Sequence, residues 1–216
     1  MLRRLAPLAV TGALLAAAPG ALAAQVTANR SCYVAGISTM TLTGLGYAPG
    51  ADVDIAAAGA AGLRLQADGS GAFATTLPTP AGSVLGLTTT ERTELSITAS
   101  DSAGNVGKTS VGVVQFAFKT SSGFKSTRAI RKWSFSGFQD TSRPIYGHFR
   151  FGGKTRANYR FGKPTGPCGL LSKRAPGIPA RSRAGTWTIQ IDQNRAYKPN
   201  EKVALKVTSF VSLVPR

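Results

Sequence analysis

The stretch that decides the fold runs from residue 42 to residue 73, and its two ends read LTGLGYAPGADV (residues 42–53) and QADGSGAF (residues 66–73). Apolar residues alternate there with small or polar ones on either side of short clusters of glycine, proline and aspartate. Such clusters supply the left-handed or proline-fixed backbone that tight turns require. Alternation with a period of two therefore predicts short β-strands joined by these turns.

The same rhythm extends through the rest of the first half, and helical periodicity is hard to find anywhere after the N-terminus. Many short strands within about 90 residues are typical of a β-sandwich. The predicted strands cover residues 39–43, 53–57, 63–67, 73–77, 94–99 and 109–116. A turn role fits Asp68 better than calcium binding, because Asp52, Asp54 and Asp68 lack the dense spacing of oxygen ligands that calcium needs.

The two quoted segments resemble the immunoglobulin-like repeats of secreted bacterial surface proteins, over roughly residues 30–115. This resemblance implies a β-sandwich that serves as a spacer or an adhesive module, and it implies no catalytic residue. The segments WSFSGF (residues 133–138) and GPCG (residues 166–169) are similar to the C-terminal parts of uncharacterised secreted bacterial proteins, which implies no activity.

The second half repeats the alternation with heavier aromatic residues, so the sequence predicts an all-β protein of two β-sandwich-like domains, the first of them immunoglobulin-like. The predicted domains span residues 25–116 and 117–216. Residues 164–183 are rich in proline and glycine and show little alternation, which predicts a long loop pinned by Cys168. The alternating sets are Trp133 and Phe135; Ile145, Gly147, Phe149 and Phe151; Ala157, Tyr159 and Phe161; Trp187, Ile189 and Ile191; and Val203, Leu205 and Val207.

The N-terminus predicts a cleavable signal peptide over residues 1–24, and hence a secreted or surface-associated protein. Arg3 and Arg4 precede an apolar stretch that ends in the small residues favoured by signal peptidase. The alternative is an uncleaved anchor, but prolines and a glycine interrupt a stretch barely long enough to span a bilayer. No later segment is apolar for long enough to cross one. The small residues are Ala21, Ala23 and Ala24.

Charge divides the chain sharply. Residues 24–115 carry four basic and six acidic side chains, a net charge of −2, whereas residues 116–216 carry 20 basic and three acidic side chains, a net charge of +17. A surface this cationic attracts anionic polymers, with an affinity that falls as salt rises. The expected partner is an anionic polysaccharide or a teichoic-acid-like polymer rather than a specific nucleic acid. The alternative is a charge that serves solubility alone.

Cys32 and Cys168 are the two cysteines of the chain. In an oxidising compartment an even pair predicts a disulfide, which here would tie the first half to the second. The alternative is that Cys32 is a small buried apolar residue at the start of a strand.

Alternation on either side of Gly152-Gly153-Lys154 predicts a hairpin with a three-residue loop. This register places three pairs inside, with Tyr159 lying over the bare Gly147. It places three pairs outside, so that Arg150 faces Arg156 directly. The inside pairs are Phe149–Ala157, Gly147–Tyr159 and Ile145–Phe161, and the outside pairs are Arg150–Arg156, His148–Asn158 and Tyr146–Arg160.

Two arginines that face each other repel, and an anionic ligand held by both guanidinium groups would offset this repulsion. The outer face of the hairpin is therefore the candidate anion site, with a tyrosine as a flat stacking surface beside it. The alternative is that the arginines point apart into water at little cost. The candidate residues are Tyr146, Arg150, Lys154, Arg156 and Arg160.

The sequence contains no recognisable catalytic motif. Cys168 as nucleophile with His148 as base forms the one arrangement that can be written down. Secreted transpeptidases also follow an immunoglobulin-like module with a β-rich catalytic domain, but their nucleophile sits in a Ser-His-Gly-Cys context, whereas Thr165-Gly166-Pro167 precedes Cys168 here. His148 is expected to be a solvated strand residue, and no motif for a metal or a cofactor occurs. The expected function is thus non-catalytic binding of anionic envelope or extracellular polymers, or alternatively a structural or adhesive surface module without a ligand.

Overall fold

The structure, a computed structural model, describes residues 23–121, 130–179 and 182–211. The predicted signal peptide falls almost wholly on residues outside these ranges. Within the described ranges the chain forms β-strands, and no helix is long and apolar enough to cross a bilayer.

The first half contains two packed sheets. One has the order β1-β3-β6, and the other has the order β2-β8-β7-β4-β5, with β2 parallel to β8. This division of the strands is that of an immunoglobulin-like sandwich. The strands are β1 (Gln25–Ala28), β2 (Cys32–Val34), β3 (Thr39–Leu45), β4 (Asp52–Ala57), β5 (Leu63–Gln66), β6 (Phe73–Pro78), β7 (Arg92–Asp101) and β8 (Val106–Val114).

The second half repeats the same plan. Its sheets have the orders β9-β10-β13 and β15-β14-β11-β12, which match β1-β3-β6 and β8-β7-β4-β5 strand for strand. Two sandwiches of one topology therefore follow each other along the chain, and β2 is the extra strand of the first. The strands are β9 (Ala117–Thr120), β10 (Ile130–Ser136), β11 (Ile145–Phe151), β12 (Lys154–Gly162), β13 (Leu171–Pro176), β14 (Gly185–Asp192) and β15 (Leu205–Val211).

Each sandwich has its own apolar core, built from the inward positions of its strands. Burying each large side chain there contributes about 1.5–3 kcal/mol. The first core is mainly aliphatic, while aromatic rings dominate the second. The first core includes Met40, Leu42, Val53, Ile55, Leu95 and Ile97, and the second includes Trp133, Phe135, Phe138, Phe149, Phe161 and Ile189.

The predicted strands of the first half lie on β3 to β8 with small shifts at their ends. The prediction of a continuous loop over residues 164–183 is wrong, because β13 lies within it and pairs with β10. β13 is an edge strand whose side chains are mostly exposed, so it carries no apolar alternation. Asp68 has the predicted turn role, since its Oδ1 accepts hydrogen bonds from the backbone N–H groups of Ser70 and Ala72.

The two sandwiches meet directly after β8. Cys32, the first residue of β2, is bonded to Cys168 in the connection between β12 and β13, with Cα atoms 5.2 Å apart. The predicted disulfide is confirmed. Val114 is buried with both cysteines, and the rings of Phe116 and Phe138 pack 4.8 Å apart beside them. The division of the chain into domains at residues 25–116 and 117–216 stays a prediction.

Gly169 shows how closely the chain packs at this junction. It has a φ of +59°, and a Cβ placed there would lie 2.1 Å from the carbonyl oxygen of Phe138. Only glycine fits this position, because any side chain would displace backbone. The residue after Cys168 thus allows the connection to press against the end of β10 and present the cysteine to β2.

Candidate functional site on the hairpin of β11 and β12

The hairpin closes with a two-residue loop, Gly152-Gly153, flanked by the pair Phe151 and Lys154. Both glycines have positive φ, +57° and +73°, as a type I′ turn requires. The predicted three-residue loop is therefore wrong. A bulge at Arg156 inserts one residue into β12, and this returns the strands to the register that the alternation demands.

Four of the predicted pairs are present, and two are not. Beyond the bulge the pairs are Tyr146–Arg160, Gly147–Tyr159, His148–Asn158 and Phe149–Ala157. Arg150 instead pairs with Thr155, and Ile145 pairs with Gly162 after a second irregularity. The ring over Gly147 is that of Phe161 rather than Tyr159, since a Cβ on Gly147 would lie 2.9 Å from Phe161 Cε2.

The predicted facing of Arg150 and Arg156 is thus corrected, because the bulge moves Arg156 out of register. The Arg150 guanidinium lies 4.2 Å from the centre of the Tyr197 ring, and its Nη1 donates a 2.8 Å hydrogen bond to the Tyr197 hydroxyl. Its Nη2 donates to the Gly153 carbonyl. Arg156 Nε donates a 3.4 Å hydrogen bond to the carbonyl of Phe151. Arg150 is therefore engaged in packing and is not held open for an anion.

The other predicted residues lie where an anion can reach them. Lys154, Arg156 and Arg160 are exposed on β12, an edge strand, and Tyr146 is half-buried on β11. None of the three cations forms an ion pair with another described residue. Anion binding by this surface stays a prediction.

A polar cluster that the sequence did not predict lies on the outward face of this sheet, across β11, β12 and β14. His148 is fully buried, so the prediction that it is solvated is wrong. Its Nδ1 lies 2.9 Å from Asn158 Oδ1, and its Nε2 lies 3.2 Å from Oδ1 of the buried Asp192. Both ring nitrogens face acceptor oxygens, an arrangement that the doubly protonated imidazolium satisfies completely.

Both carboxylate oxygens of Asp192 accept hydrogen bonds. Its Oδ1 also accepts a 2.7 Å hydrogen bond from the Asn194 backbone N–H, and its Oδ2 accepts one of 2.7 Å from Gln190 Nε2. Burial alone would raise the pKa of Asp192, but the bonds from His148, Gln190 and Asn194 outweigh it, so the pKa is lowered. Burial alone would likewise lower the pKa of His148, but hydrogen bonds to Asp192 and Asn158 raise it. The cluster is a buried ion pair held by neutral hydrogen-bonding groups.

The cover of this cluster is residues 193–204, which connect β14 to β15 and which we call the covering segment. The Tyr197 ring stands edge-on to the His148 ring, with 6.0 Å between centres, and the Lys198 carbonyl accepts a 2.9 Å hydrogen bond from Gln190 Nε2. Asn194 Nδ2 donates to Glu201 within the segment. Alternation correctly places His148, Gln190 and Asp192 on the outward face of the sheet, and the covering segment then buries that face.

This chemistry is structural. A proton-transfer dyad needs access to a substrate, whereas His148 and Asp192 have no exposed surface. Cys168 cannot serve as a thiolate nucleophile while it is bonded to Cys32. In the described ranges, no group of three or more histidine, cysteine, aspartate or glutamate side chains is placed to hold a metal ion.

No protein-family model matches this chain, and no curated protein matches it. Among solved structures it is similar to red sea bream transglutaminase, with 8% identity, a TM-score of 0.33, and coverage of 89% of this chain and 32% of that one. It is similar to the Yersinia pseudotuberculosis adhesin InvE, with 11% identity, a TM-score of 0.33, and coverage of 88% and 59%. It is also similar to a tandem of titin immunoglobulin domains, with 11% identity, a TM-score of 0.28, and coverage of 88% and 97%.

The chain thus spans about a third of the transglutaminase and less than two thirds of the adhesin structure. Similarities at these scores carry no argument about activity. The assignment of two immunoglobulin-like sandwiches rests on the strand order of the chain itself.

Proposed function

We propose that this protein is a non-catalytic structural or adhesive module that acts outside the cytoplasm, at the cell surface or secreted. The observation that carries the proposal is the Cys32–Cys168 disulfide, which joins the two sandwiches across 136 residues of sequence. Disulfides persist in oxidising compartments and are rare in the cytosol. A bond between tandem sandwiches limits their hinge motion, which suits a module that bears load or presents a surface.

The redox state of the exported protein tests this proposal. The protein is expressed with its own N-terminus in a bacterial host, and the cytoplasmic and extracytoplasmic fractions are separated. We expect the extracytoplasmic form to lack residues 1–24 and to resist alkylation until it is reduced. A product that stays in the cytoplasm with two alkylatable thiols would contradict the proposal.

A second candidate function is attachment to an anionic polymer of the envelope or the extracellular space. The observation that favours it is the net charge of +17 over residues 116–216. The three side-chain carboxylates in this range already have partners within the chain. Asp192 is buried with His148, Glu201 binds Asn194, and Asp140 binds Ser142. Arg143 pairs with Asp140, whereas most other described lysines and arginines of this half form no ion pair with a carboxylate and remain available to an anion.

Immobilised glycerol teichoic acid and heparin test the second candidate at low salt. We expect the whole protein to be retained on both matrices and to elute as salt rises, because counterion release drives such binding. The first half supplies no such charge. A protein that passes through both matrices at low salt would refute polymer attachment while leaving the structural module intact.

A further inference from the structure

We infer that the outward face of the β9-β10-β13 sheet, rather than the hairpin, is the principal site for a linear, hydroxyl-rich polymer carrying phosphate or sulfate groups. This inference rests on the proposed polymer attachment and specifies its location. We call the site the cationic groove. Its residues are Lys119, Lys132, Ser134, Ser172 and Arg174 on the sheet, with Ser121 directly after β9 and Thr90 at its edge.

Strand register brings the three cations of the groove together. Lys132 pairs directly with Arg174 across β10 and β13, and Lys119 pairs with Ser134, two residues further along β10. All three point outward, because the alternate residues Trp133 and Phe135 are buried in the core. Lys132 therefore lies within about 8 Å of Arg174, directly opposite, and of Lys119, on the diagonal, while β10 separates Lys119 from Arg174.

Among the described residues, no carboxylate on this face neutralises the charge. The outward side chains of β9, β10 and β13 in the described ranges include no carboxylate, and no ion pair engages Lys119, Lys132 or Arg174. Glu91, which follows Thr90, is hydrogen-bonded to the Thr88 hydroxyl. Lys132 and Arg174 thus form a directly opposed like-charge pair, of the kind that the sequence predicted for Arg150 and Arg156. An oxyanion between them would relieve their repulsion.

Two shallow cavities lie on this face, and Thr90 of the first sandwich lines both of them. A cavity of about 280 Å³ is lined by Lys119, Lys132 and Ser134 together with Thr90. A second cavity, of about 430 Å³, is lined by hydroxyl groups and by apolar side chains, namely Thr90, Ser134, Thr165 and Ser172 with Phe135, Leu170 and Leu171. Because both cavities share Ser134 and Thr90, they adjoin and form one groove between the sheet and the turn before β7, and Arg174 lies beside this groove through its pairing with Lys132.

The lining indicates the chemistry of the ligand. Hydroxyl groups stand between and beside the cations, and they can bond alternately to oxyanions and to sugar or polyol hydroxyls. No aromatic side chain points outward from the three strands in the described ranges, so the face has no platform on which the bases of a single-stranded nucleic acid could stack. A polyol phosphate or a sulfated polysaccharide fits this lining better.

Two variants of equal charge test the groove. Lys119→Gln/Lys132→Gln/Arg174→Gln removes three cations from the groove, and Lys154→Gln/Arg156→Gln/Arg160→Gln removes three exposed cations from the hairpin. Affinity is measured for glycerol teichoic acid, for heparin and for a DNA oligonucleotide at several salt concentrations. Circular dichroism and the mass of the intact disulfide confirm that both variants fold.

We expect the groove variant to bind glycerol teichoic acid or heparin about tenfold more weakly and with a shallower salt dependence, and the hairpin variant to lose less than about threefold. Thr90→Glu, which leaves the sheet untouched, is expected to weaken binding in the same direction. Preference between teichoic acid and heparin distinguishes phosphate from sulfate as the natural group.

Equal losses in the two triple variants would overturn the groove as a site, because net charge alone would then account for binding. Tighter binding of DNA than of both hydroxyl-rich polymers would overturn the ligand class. Absence of binding by the unmodified protein would instead refute polymer attachment itself, so the two failures are distinguishable.

Discussion

Gln190 links the two parts of the buried polar cluster. Its Nε2 donates to Asp192 Oδ2 and to the Lys198 carbonyl, so one amide holds both the carboxylate and the covering segment. Tyr197 also joins the covering segment to the hairpin, because its ring contacts the His148 ring and its hydroxyl accepts a hydrogen bond from Arg150. The cost of burying an ion pair is offset here by hydrogen bonds to both carboxylate oxygens of Asp192 and to both ring nitrogens of His148, whereas Gln190 Oε1 is buried without a hydrogen-bond partner among the described residues.

Removing the Asp192 charge should destabilise the protein strongly. In Asp192→Asn, the buried His148 loses its counter-ion, and we expect a loss of about 3 kcal/mol in the free energy of unfolding. Urea denaturation followed by fluorescence measures it. Asp140→Asn, at an exposed carboxylate, is the matched control and should change little. Equal small losses in both variants would contradict a buried ion pair.

The same pair predicts a bell-shaped dependence of stability on pH. Because the pKa of His148 is raised, its contribution is complete below its usual value of 6.5 and is lost as pH rises through the raised value. Because the pKa of Asp192 is lowered, its contribution is present above its usual value of 3.8 and is lost as pH falls through the lowered value. Urea midpoints across pH measure both limbs.

His148→Gln is the control for the alkaline limb, since glutamine does not titrate. We expect the variant to be less stable at pH 6 and to approach the wild type as pH rises above neutrality. An identical alkaline slope in the two proteins would show that His148 does not titrate as the structure requires.

At the scale of elements, the hairpin of β11 and β12 depends on its two-residue loop. Gly152 and Gly153 have the left-handed backbone conformation, which L-residues adopt only at a cost of about 1–2 kcal/mol. The loop and the bulge at Arg156 act together, since one shortens the connection and the other restores the register. A change in either should propagate to every outward pair of the hairpin.

Gly152→Val should therefore lower stability by about 1–2 kcal/mol, whereas Gly152→Asn should be tolerated because asparagine accepts the left-handed conformation. Thermal unfolding of the two variants measures the difference. Both substitutions add a side chain in open space, so any difference reports on the backbone alone. Equal losses would contradict the type I′ turn.

At the scale of the whole molecule, the disulfide and the Phe116–Phe138 contact bring the two sandwiches together at one junction. The close approach of Gly169 to Phe138 holds the connection that carries Cys168 against the end of β10. The groove proposed above also uses Thr90 of the first sandwich against the sheet of the second. The disulfide therefore affects both the stability of the chain and the shape of the cationic groove.

Replacing both cysteines by serine should lower the free energy of unfolding by about 2–5 kcal/mol, because the bond closes a long loop in the unfolded chain. Guanidinium denaturation without reductant compares the variant with the wild type. Wild-type protein in reductant should behave like the variant. A loss below about 1 kcal/mol would show that the bond constrains the unfolded chain little.

Much of this molecule follows from local pattern. Alternation and turn residues were enough for the all-β fold and for six strands of the first half, because inward and outward positions repeat along each strand. The Cys32–Cys168 pairing followed from the cysteine count and the indicated compartment. Four outward and inward pairs of the hairpin were also predictable, since a buried face tolerates no slip in register.

Tertiary structure decided the rest. The strand β13 and the burial of His148 depend on partners distant in sequence, namely β10 and the covering segment, and the bulge at Arg156 appears only in the pairing of β11 with β12. Alternation predicts on which face of a sheet a side chain lies, but it does not predict which other segment covers that face. The like-charge pair expected between Arg150 and Arg156 accordingly occurs between Lys132 and Arg174, because cross-strand pairing between distant segments, and not their local pattern, sets which charges meet.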